Sequence, residues 1–397
     1  MLTKIRARNF KSLKDVSLKL DQRNVFVGAN MAGKSNFIDL FRFVYDMSFP
    51  RPGSMGLADA FSQRGGFGEV LWKGGDERII EIELSGTTSE LEPGKNREWD
   101  YHIGIQGEPR YDNFRIANER LTIQRDSLPA RDLVENAGHE RWFINNPQQR
   151  LLSNPDPSRS ILEFDIPGWS GGFLRSAITK WRFYELVPSL MRNPNETTAT
   201  KFLREHGENL SQWLSNLALE HQKDSFARIE KVLTDTLPQV TGLLNSPTQQ
   251  STVALGSREK YLSRTVPLSQ MSAGELAFIA LLSLIYAPPD RVGTLYCIEE
   301  IENYLHPTLI DTLLEVLRQS QEEWERKDQP PQLILTTHSP RVVDKTKLEE
   351  LVFIERRDGA TTCTRPGDKP QLQKLLQDEE VGLGDLVYSG ALSNVGK

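Results

Sequence analysis

The sequence predicts an α/β fold with a mixed sheet, an antiparallel β lobe and a helical insertion. Three observations carry this prediction. A short apolar strand leads directly into a glycine-rich loop over residues 25–35. Two later apolar runs, over 295–298 and 333–337, each end in charged or polar residues, as buried parallel strands do at a sheet edge. Residues of about 70–125 alternate between apolar and polar side chains, which is typical of antiparallel strands.

The glycine-rich loop has the pattern G-x-x-x-x-G-K-S between Gly28 and Ser35. In this pattern glycines let successive backbone N–H groups point at one phosphate, the lysine reaches the β and γ oxygens, and the serine hydroxyl ligates Mg²⁺. An apolar helix at residues 36–44 follows at once, as the motif requires. The pattern alone arises by chance in a chain of this length about once in a hundred. It predicts a nucleoside triphosphate site formed by Gly28, Asn30, Gly33, Lys34, Ser35 and Asn36.

Adjacent acids follow the strand at 295–298. This is a Walker-B-like strand end, where Glu299 is placed to hold Mg²⁺ and Glu300 to polarise the water that attacks the γ-phosphate. Paired acids are also common on solvated helices. Their position at the tip of an apolar strand favours the functional interpretation.

Two further elements have both a functional and a structural interpretation. His338 ends the apolar run at 333–337, where it can donate to a γ-phosphate, although a single histidine is more often structural. Ser272 and Gly274 precede a strongly apolar stretch and lie at a predicted helix N-terminus, which can bind an anion. The same residues also suit an ordinary helix cap.

In this order, the four elements resemble the ATP-binding heads of ABC-type ATPases, and among these the RecF, SMC and OLD-like group rather than transporter subunits. Residues 5–16 are similar to the first strands of that group, 271–275 to its signature motif, and 299–307 to its Walker B motif with the following D-loop. The string at 182–188 also fits. The resemblance spans nearly the whole chain.

The resemblance implies an ATP- and Mg²⁺-dependent homodimer in which two heads enclose the nucleotide. Ser272 and Gly274 of one subunit would then touch the γ-phosphate held by the other. The implied catalytic residues are Glu300 as general base, His338 as γ-phosphate sensor and Lys34. The implied metal residues are Ser35, Glu299 and Gln63, the last as a candidate for the glutamine that helps to bind Mg²⁺ and water.

The sequence departs from the family pattern at Met31, where a glycine is usual. A methionine restricts a loop position that is normally free to adopt positive φ, which leaves room for slow or weakly coupled hydrolysis. Lys11 and Ser12 are candidates to line the nucleotide from the N-terminal strands, with plain surface positions as the alternative.

The predicted organisation is an N-terminal ATPase lobe at 1–125, a mainly helical insertion at 126–260 and a C-terminal ATPase lobe at 261–397. Within the insertion, 126–180 reads as loops with short helices and 196–240 as helical. The helical segment has an apolar stripe that is expected to be core rather than a partner groove, formed by Phe202, Leu210, Trp213, Leu214, Leu217 and Leu219. The 397 residues include 38% hydrophobic and 26% charged residues, which is ordinary for a globular protein. No apolar run approaches the length of a membrane span and a secretory signal is lacking, so we expect a cytoplasmic protein without membrane contact.

The two cysteines exclude a disulfide framework. The net charge is −6, but the first 23 residues carry seven Lys or Arg against two Asp, so a basic edge that meets DNA and a surface of alternating charge both remain open. The resulting hypothesis is an ABC-type ATPase that acts as a switch in a DNA transaction, in repair or anti-phage defence. The alternative is an ATP-dependent assembly subunit that controls a separately encoded effector, such as a nuclease, and hydrolyses slowly.

Overall fold

The computed structural model describes residues 1–91, 95–110, 113–124, 130–137, 140–146, 149–154, 156–196, 198, 200–218, 223–247, 252–287, 294–326, 330–366 and 384. The strands are β1 (Leu2–Phe10), β2 (Leu13–Lys19), β3 (Arg23–Val27), β4 (Ile79–Thr88), β5 (Arg97–Glu108), β6 (Asn113–Ile123), β7 (Arg131–Asp132), β8 (Val134–Ala137), β9 (Glu140–Asn146), β10 (Gln149–Asn154), β11 (Trp181–Tyr184), β12 (Asn195–Glu196), β13 (Val240–Pro247), β14 (Thr252–Glu259), β15 (Val266–Pro267), β16 (Leu295–Ile298), β17 (Gln332–Thr337), β18 (Leu351–Arg357) and β19 (Ala360–Thr364).

The helices are α1 (Lys34–Ser48), α2 (Gly56–Ser62), α3 (Phe67–Val70), α4 (Gly172–Ile178), α5 (Pro188–Met191), α6 (Leu210–Ala218), α7 (Lys223–Thr236), α8 (Ala273–Tyr286), α9 (Pro307–Arg326) and α10 (Pro340–Asp344).

A central sheet in the order β11-β16-β17-β3-β18-β19 carries the predicted motifs. Its first five strands are parallel and β19 is antiparallel to β18. Both faces are covered: Phe26 of β3 packs in one hydrophobic core with α1, whereas Val25 and Val27 pack in a second core with α8 and α9. This double burial explains why the strands read as continuous apolar runs in the sequence.

The predicted antiparallel lobe is confirmed as a sheet in the order β2-β1-β4-β5-β6-β7. Its inward side chains, such as Ile80, Ile82 and Ile103, are fully buried and share a core with α1. Apolar and polar side chains therefore alternate along these strands because one face of the sheet packs on the core and the other faces solvent.

The prediction of a mainly helical segment over 126–260 is wrong for the described residues, because strands β7–β14 lie there beside α4–α7. Strands β8, β9 and β10 form a small antiparallel sheet, where loops and short helices were expected. Val134 pairs with Phe143 in this sheet, and both side chains are buried. Each of these short strands buries few apolar residues, so the sequence shows no clear alternation of apolar and polar side chains. The domain boundaries themselves remain a prediction.

The apolar stripe predicted for 196–240 divides between α6 and the loop that precedes it. Leu210, Trp213, Leu214 and Leu217 are buried on α6, whereas Phe202 precedes that helix and is 42% exposed. Leu219, the last predicted member, lies outside the described residues. The stripe is thus core over the length of α6 only.

Two arginines of the basic N-terminal edge form ion pairs within the antiparallel lobe. Arg6 pairs with Asp15 and Glu83, and Arg8 pairs with Asp15 and Glu81, on neighbouring strands. At Arg6 and Arg8 these pairs fit a surface of alternating charge, which is the alternative to a DNA-binding edge.

Cys297 and Cys363 are both in the reduced thiol form, and Cys297 is buried. Among the helices of the described residues, none is both long and apolar enough to cross a membrane.

Candidate nucleotide-binding site

The phosphate loop connects β3 to α1, and its two glycines are required for different reasons. A Cβ at Gly28 would run into the carbonyl oxygen of Ile354 on β18, so this position needs glycine for close packing against the neighbouring strand. Gly33 has φ 109°, a left-handed conformation that side chains rarely adopt. The loop therefore combines a steric and a conformational requirement.

A buried threonine braces this loop. The Thr361 hydroxyl on β19 donates to the Ala32 carbonyl at 2.9 Å and lies 2.6 Å from the Ser12 hydroxyl. The Thr361 N–H donates to the Ser12 carbonyl at 2.8 Å, and the Asn36 amide donates to the Ser12 hydroxyl at 2.5 Å. Ser12 and Asn36, predicted nucleotide contacts, thus hold the loop against β19. Lys11 instead pairs with Asp39 at 2.5 Å.

Met31 adopts the positive φ that its position demands. Its φ is 66° and its side chain is 82% exposed, so few contacts compensate the strain. A left-handed conformation costs a non-glycine residue about 1 to 2 kcal/mol. Asn30, beside it, is also exposed on the loop.

Lys34 begins α1 and is 7% exposed. Its ammonium donates to the carbonyls of Gly28 at 2.6 Å and Ala29 at 3.1 Å, so it folds back over the loop. Burial lowers the pKa of Lys34 below its ordinary value, against the opposing influence of Glu300 and Glu302. An ammonium group is therefore held at the loop, near the acids that follow β16.

Glu299 and Ser35 meet where β16 ends beside the start of α1. The Ser35 hydroxyl hydrogen-bonds to the Glu299 carboxylate. Burial raises the pKa of Glu299, and the neighbouring carboxylates Glu185 and Glu300 add to this, while Ser35 and Arg42 oppose it. A hydroxyl and a carboxylate are oxygen ligands of the kind that Mg²⁺ takes, so these residues fit a magnesium site.

Glu300 follows Glu299 with a left-handed backbone, at φ 47°. Its N–H donates to the Thr336 hydroxyl on β17 at 2.9 Å, and its carboxylate accepts from the Asn303 amide at 2.5 Å. Strain of this kind persists where the surroundings fix it, and it is common at functional sites. The turn thus gives the two adjacent acids different neighbours.

His338 follows β17 and lies between two carboxylates. Its Nδ1 is 3.4 Å from Glu302 and 3.8 Å from Glu300, and its backbone N–H donates to Glu302 at 2.8 Å. Sequence reasoning missed Glu302, which is 8% exposed and orients the histidine. The sequence feature that could have identified Glu302 is its position two residues after Glu300.

Ser272 and Gly274 lie at the start of α8, away from these strand ends in sequence and in their contacts. Ser272 caps the helix in a capping box, with Glu275 N–H donating to its hydroxyl at 3.2 Å and its own N–H donating to the Glu275 carboxylate at 2.7 Å. A Cβ at Gly274 would lie 2.7 Å from the Tyr304 carbonyl. The structure thus shows Ser272 as a helix cap. It also places Gly274 of the signature segment, 271–275, against Tyr304 of the D-loop segment.

The side-chain contact of Gln63 that the structure describes is with Asp59, and it does not place Gln63 among the acids and phosphate loop at the sheet edge. Gln63 ends α2 and donates from its amide to Asp59 at 3.2 Å. Glu185, which was not a predicted site residue, instead follows β11 and lines one cavity with Ser35 and Glu299. The four strands β3, β11, β16 and β17 are parallel, so their carboxyl ends place this set along one edge.

Comparison with solved structures agrees with this fold. The chain is similar to the Smc head whose crystal structure was solved with the C-winged helix domain of ScpA, at 14% identity and a TM-score of 0.54, over 91% of this chain and 97% of that one. It is also similar to an Smc head with an extended coiled coil bound to the C-terminal domain of ScpA derived from Pyrococcus furiosus, at 13% identity and a TM-score of 0.51, over 95% and 99%.

No curated protein matches the chain. A family model described as "AAA domain, putative AbiEii toxin, Type IV TA system" matches residues 23–344. Since this match covers most of the sequence, the chain belongs to that AAA ATPase family, and its fold is that of the ABC-type ATPase heads of the SMC and RecF-like group.

Proposed function

We propose that this protein hydrolyses ATP in a homodimer that closes around the nucleotide, and that this cycle acts as a switch in a DNA transaction, either repair or anti-phage defence. The observation that carries the ATPase proposal is the convergence of Lys34, Ser35, Glu299, Glu300 and His338 on one sheet edge. This set supplies a phosphate cradle, a metal site and a candidate general base in one place.

In the proposed reaction, the loop amides and Lys34 hold the phosphates, and Ser35 with Glu299 would hold Mg²⁺. The metal would neutralise charge on the phosphate oxygens. Glu300 accepts the proton of the attacking water, and the Asn303 amide at 2.5 Å orients its carboxylate. His338 would sense the γ-phosphate, and its Nδ1 lies 3.4 Å from Glu302 and 3.8 Å from Glu300.

Exposed apolar side chains support the dimer. Met31 on the phosphate loop and Tyr304 on the D-loop are 82% and 54% exposed, and both are left-handed, with φ 66° and 68°. Strained, exposed apolar residues near a nucleotide site suit a surface that a second subunit covers. In that arrangement the Ser272 hydroxyl, which accepts within its own cap, would still donate its proton to a γ-phosphate.

The test is Glu300→Gln, which keeps the shape of the side chain but removes the base. We expect ATP binding to persist, phosphate release to stall and dimers to accumulate with saturating ATP and Mg²⁺, as measured by light scattering. Lys34→Ala is the companion variant, and it should lose nucleotide binding. A Glu300→Gln protein that stayed monomeric would count against the closed dimer, and a Lys34→Ala protein that bound ATP normally would refute the phosphate-loop assignment.

The alternative function is an assembly subunit that hydrolyses slowly and controls a separately encoded effector. The strain at Met31 favours this alternative, and the similar Smc heads were solved with a domain of another protein, ScpA. Phosphate release with and without linear double-stranded DNA separates the two, with Glu300→Gln as the blank. Stimulation by DNA supports the DNA-switch proposal, whereas a basal rate indifferent to DNA supports control by a protein partner.

A further inference from the structure

Glu185 leaves the sheet directly beside the Walker B acids. It follows β11, which pairs in parallel with β16 so that Tyr184 lies opposite Ile298. The Glu299 N–H donates to the Tyr184 carbonyl at 2.9 Å, which continues this pairing one residue further. The next residue on each strand is therefore a glutamate, and the two acids are neighbours at the sheet edge.

A cavity of about 130 Å³ lies at this point, and it is lined by polar groups that suit a cation. The residues that line it include Ser35, Asn303 and three glutamates, Glu185, Glu299 and Glu300, beside apolar residues such as Leu281 and Ile301. Within the part of the chain that the structure describes, neither Glu185 nor Glu299 has a Lys or Arg partner within 4.0 Å. Like charges so close together are costly unless a cation lies between them.

The backbone of Glu185 is fixed, although its side chain is exposed. Its N–H donates to the Glu205 carbonyl at 3.1 Å, and its own carbonyl accepts from Nδ1 of His206 at 2.8 Å. The Glu205 carboxylate and a ring nitrogen of His206 also lie within 4.8 Å of the Glu185 carboxylate, but Arg42 pairs with Glu205 at 2.5 Å. Glu185 thus presents an uncompensated carboxylate from a rigid position.

We propose that Glu185 adds a second carboxylate to the divalent-cation site of Ser35 and Glu299, and that the protein consequently binds Mg²⁺ or Mn²⁺ before it binds nucleotide. This inference rests on the proposed ATPase site. Hard divalent cations take oxygen ligands, and their affinity rises with the number of carboxylates that face them. One carboxylate and a hydroxyl leave most of the binding to the nucleotide phosphates, whereas two carboxylates retain a cation without them.

The experiment is a titration of the nucleotide-free protein with Mn²⁺, followed by the electron paramagnetic resonance signal of the unbound ion. We expect one bound ion in the wild type and an affinity lower by about tenfold to a hundredfold in Glu185→Gln. Glu325→Gln makes the same chemical change on the exposed face of α9 and should bind Mn²⁺ as the wild type does. Equal affinity in Glu185→Gln and the wild type, or no Mn²⁺ bound to the wild type, would overturn the proposal.

Nucleotide binding in EDTA shows whether Glu185→Gln disturbs the phosphate loop, and we expect no change. If Glu185→Gln does change nucleotide binding, Glu185→Asp is the variant that tests the proposal, because it keeps the negative charge. Recovery of Mn²⁺ affinity in Glu185→Asp supports the proposal, and affinity as low as in Glu185→Gln refutes it. None of these titrations requires hydrolysis, so failure of the ATPase proposal would show separately, as a wild type that binds Mn²⁺ but releases no phosphate.

Discussion

Thr361→Val tests whether β19 holds the phosphate loop in its binding conformation. Valine has nearly the shape of threonine but lacks the hydroxyl that donates to the Ala32 carbonyl at 2.9 Å. Thr361 is 2% exposed, so water does not readily replace this donor. The Ser12 hydroxyl keeps its bond from the Asn36 amide, and the main loss is the bond to Ala32. Leaving a buried acceptor unpaired costs about 1 to 3 kcal/mol, which is the expected loss in free energy of unfolding.

The same loss should weaken nucleotide binding, because Ala32 lies inside the loop that cradles the phosphates. If binding has to restore the loop conformation, the dissociation constant rises tenfold for each ~1.4 kcal/mol, or about 5- to 150-fold overall. The assays are urea denaturation followed by tryptophan fluorescence, and titration with a fluorescent ATP analogue in EDTA so that metal binding does not contribute.

Thr362→Val is the matched control. Thr362 is the next residue on the same strand, its side chain is exposed, and its hydroxyl makes only a long bond of 3.5 Å to the Glu355 carbonyl. We expect this variant to match the wild type within about 0.5 kcal/mol and in nucleotide affinity. The reasoning is refuted if Thr361→Val binds nucleotide as tightly as Thr362→Val, since the brace would then not act on the loop.

Two further predictions concern the same helix and loop. Gly33→Ala places a Cβ against the Thr361 hydroxyl at a position with φ 109°. It should abolish nucleotide binding and lower the free energy of unfolding by about 2 kcal/mol. The control is Gly53→Ala, at φ 84° with open space around it, which should show only the cost of backbone strain in a denaturant titration. Asp39→Asn tests a pH dependence: burial tends to raise the pKa of Asp39, but Arg64 and Lys11 outweigh this and hold it below its ordinary value. A lowered carboxyl pKa stabilises the fold above about pH 4 and loses that effect as pH falls through the folded value. The melting temperature of Asp39→Asn should therefore lie below that of the wild type at pH 7, and the gap should close toward pH 3; a constant gap would contradict this.

Local patterns predicted the central features of the site. The strand, the phosphate loop and α1 follow one another within 26 residues, from Arg23 to Ser48, so their spacing appears directly in the sequence. The Walker B strand could be predicted for the same reason, since the continuous apolar run of β16 ends at the acids that begin with Glu299. Prediction failed over 126–180, where short strands bury too few side chains to show a period.

The brace on the phosphate loop was not predictable from any local pattern. Thr361 and Ala32 are 329 positions apart, and only the order of the sheet brings β19 to the loop. A threonine in a short strand carries no sign of such a contact. Glu302 is an intermediate case, because its distance from the Walker B acids was visible but its burial beside His338 was not.

Glu185 shows what a sequence lacks even when each strand is recognised. The segment at 182–188, which contains most of β11, fits the pattern of the RecF, SMC and OLD-like group. Glu185 within it could be predicted to follow the end of a strand. The neighbour of that strand is β16, which begins more than 100 residues later, and nothing local specifies this pairing. Because parallel strands place their carboxyl ends together, the chemistry of such an edge depends on the sheet order as much as on the residues. Two glutamates that look unrelated along the chain thus become neighbours in one candidate cation site.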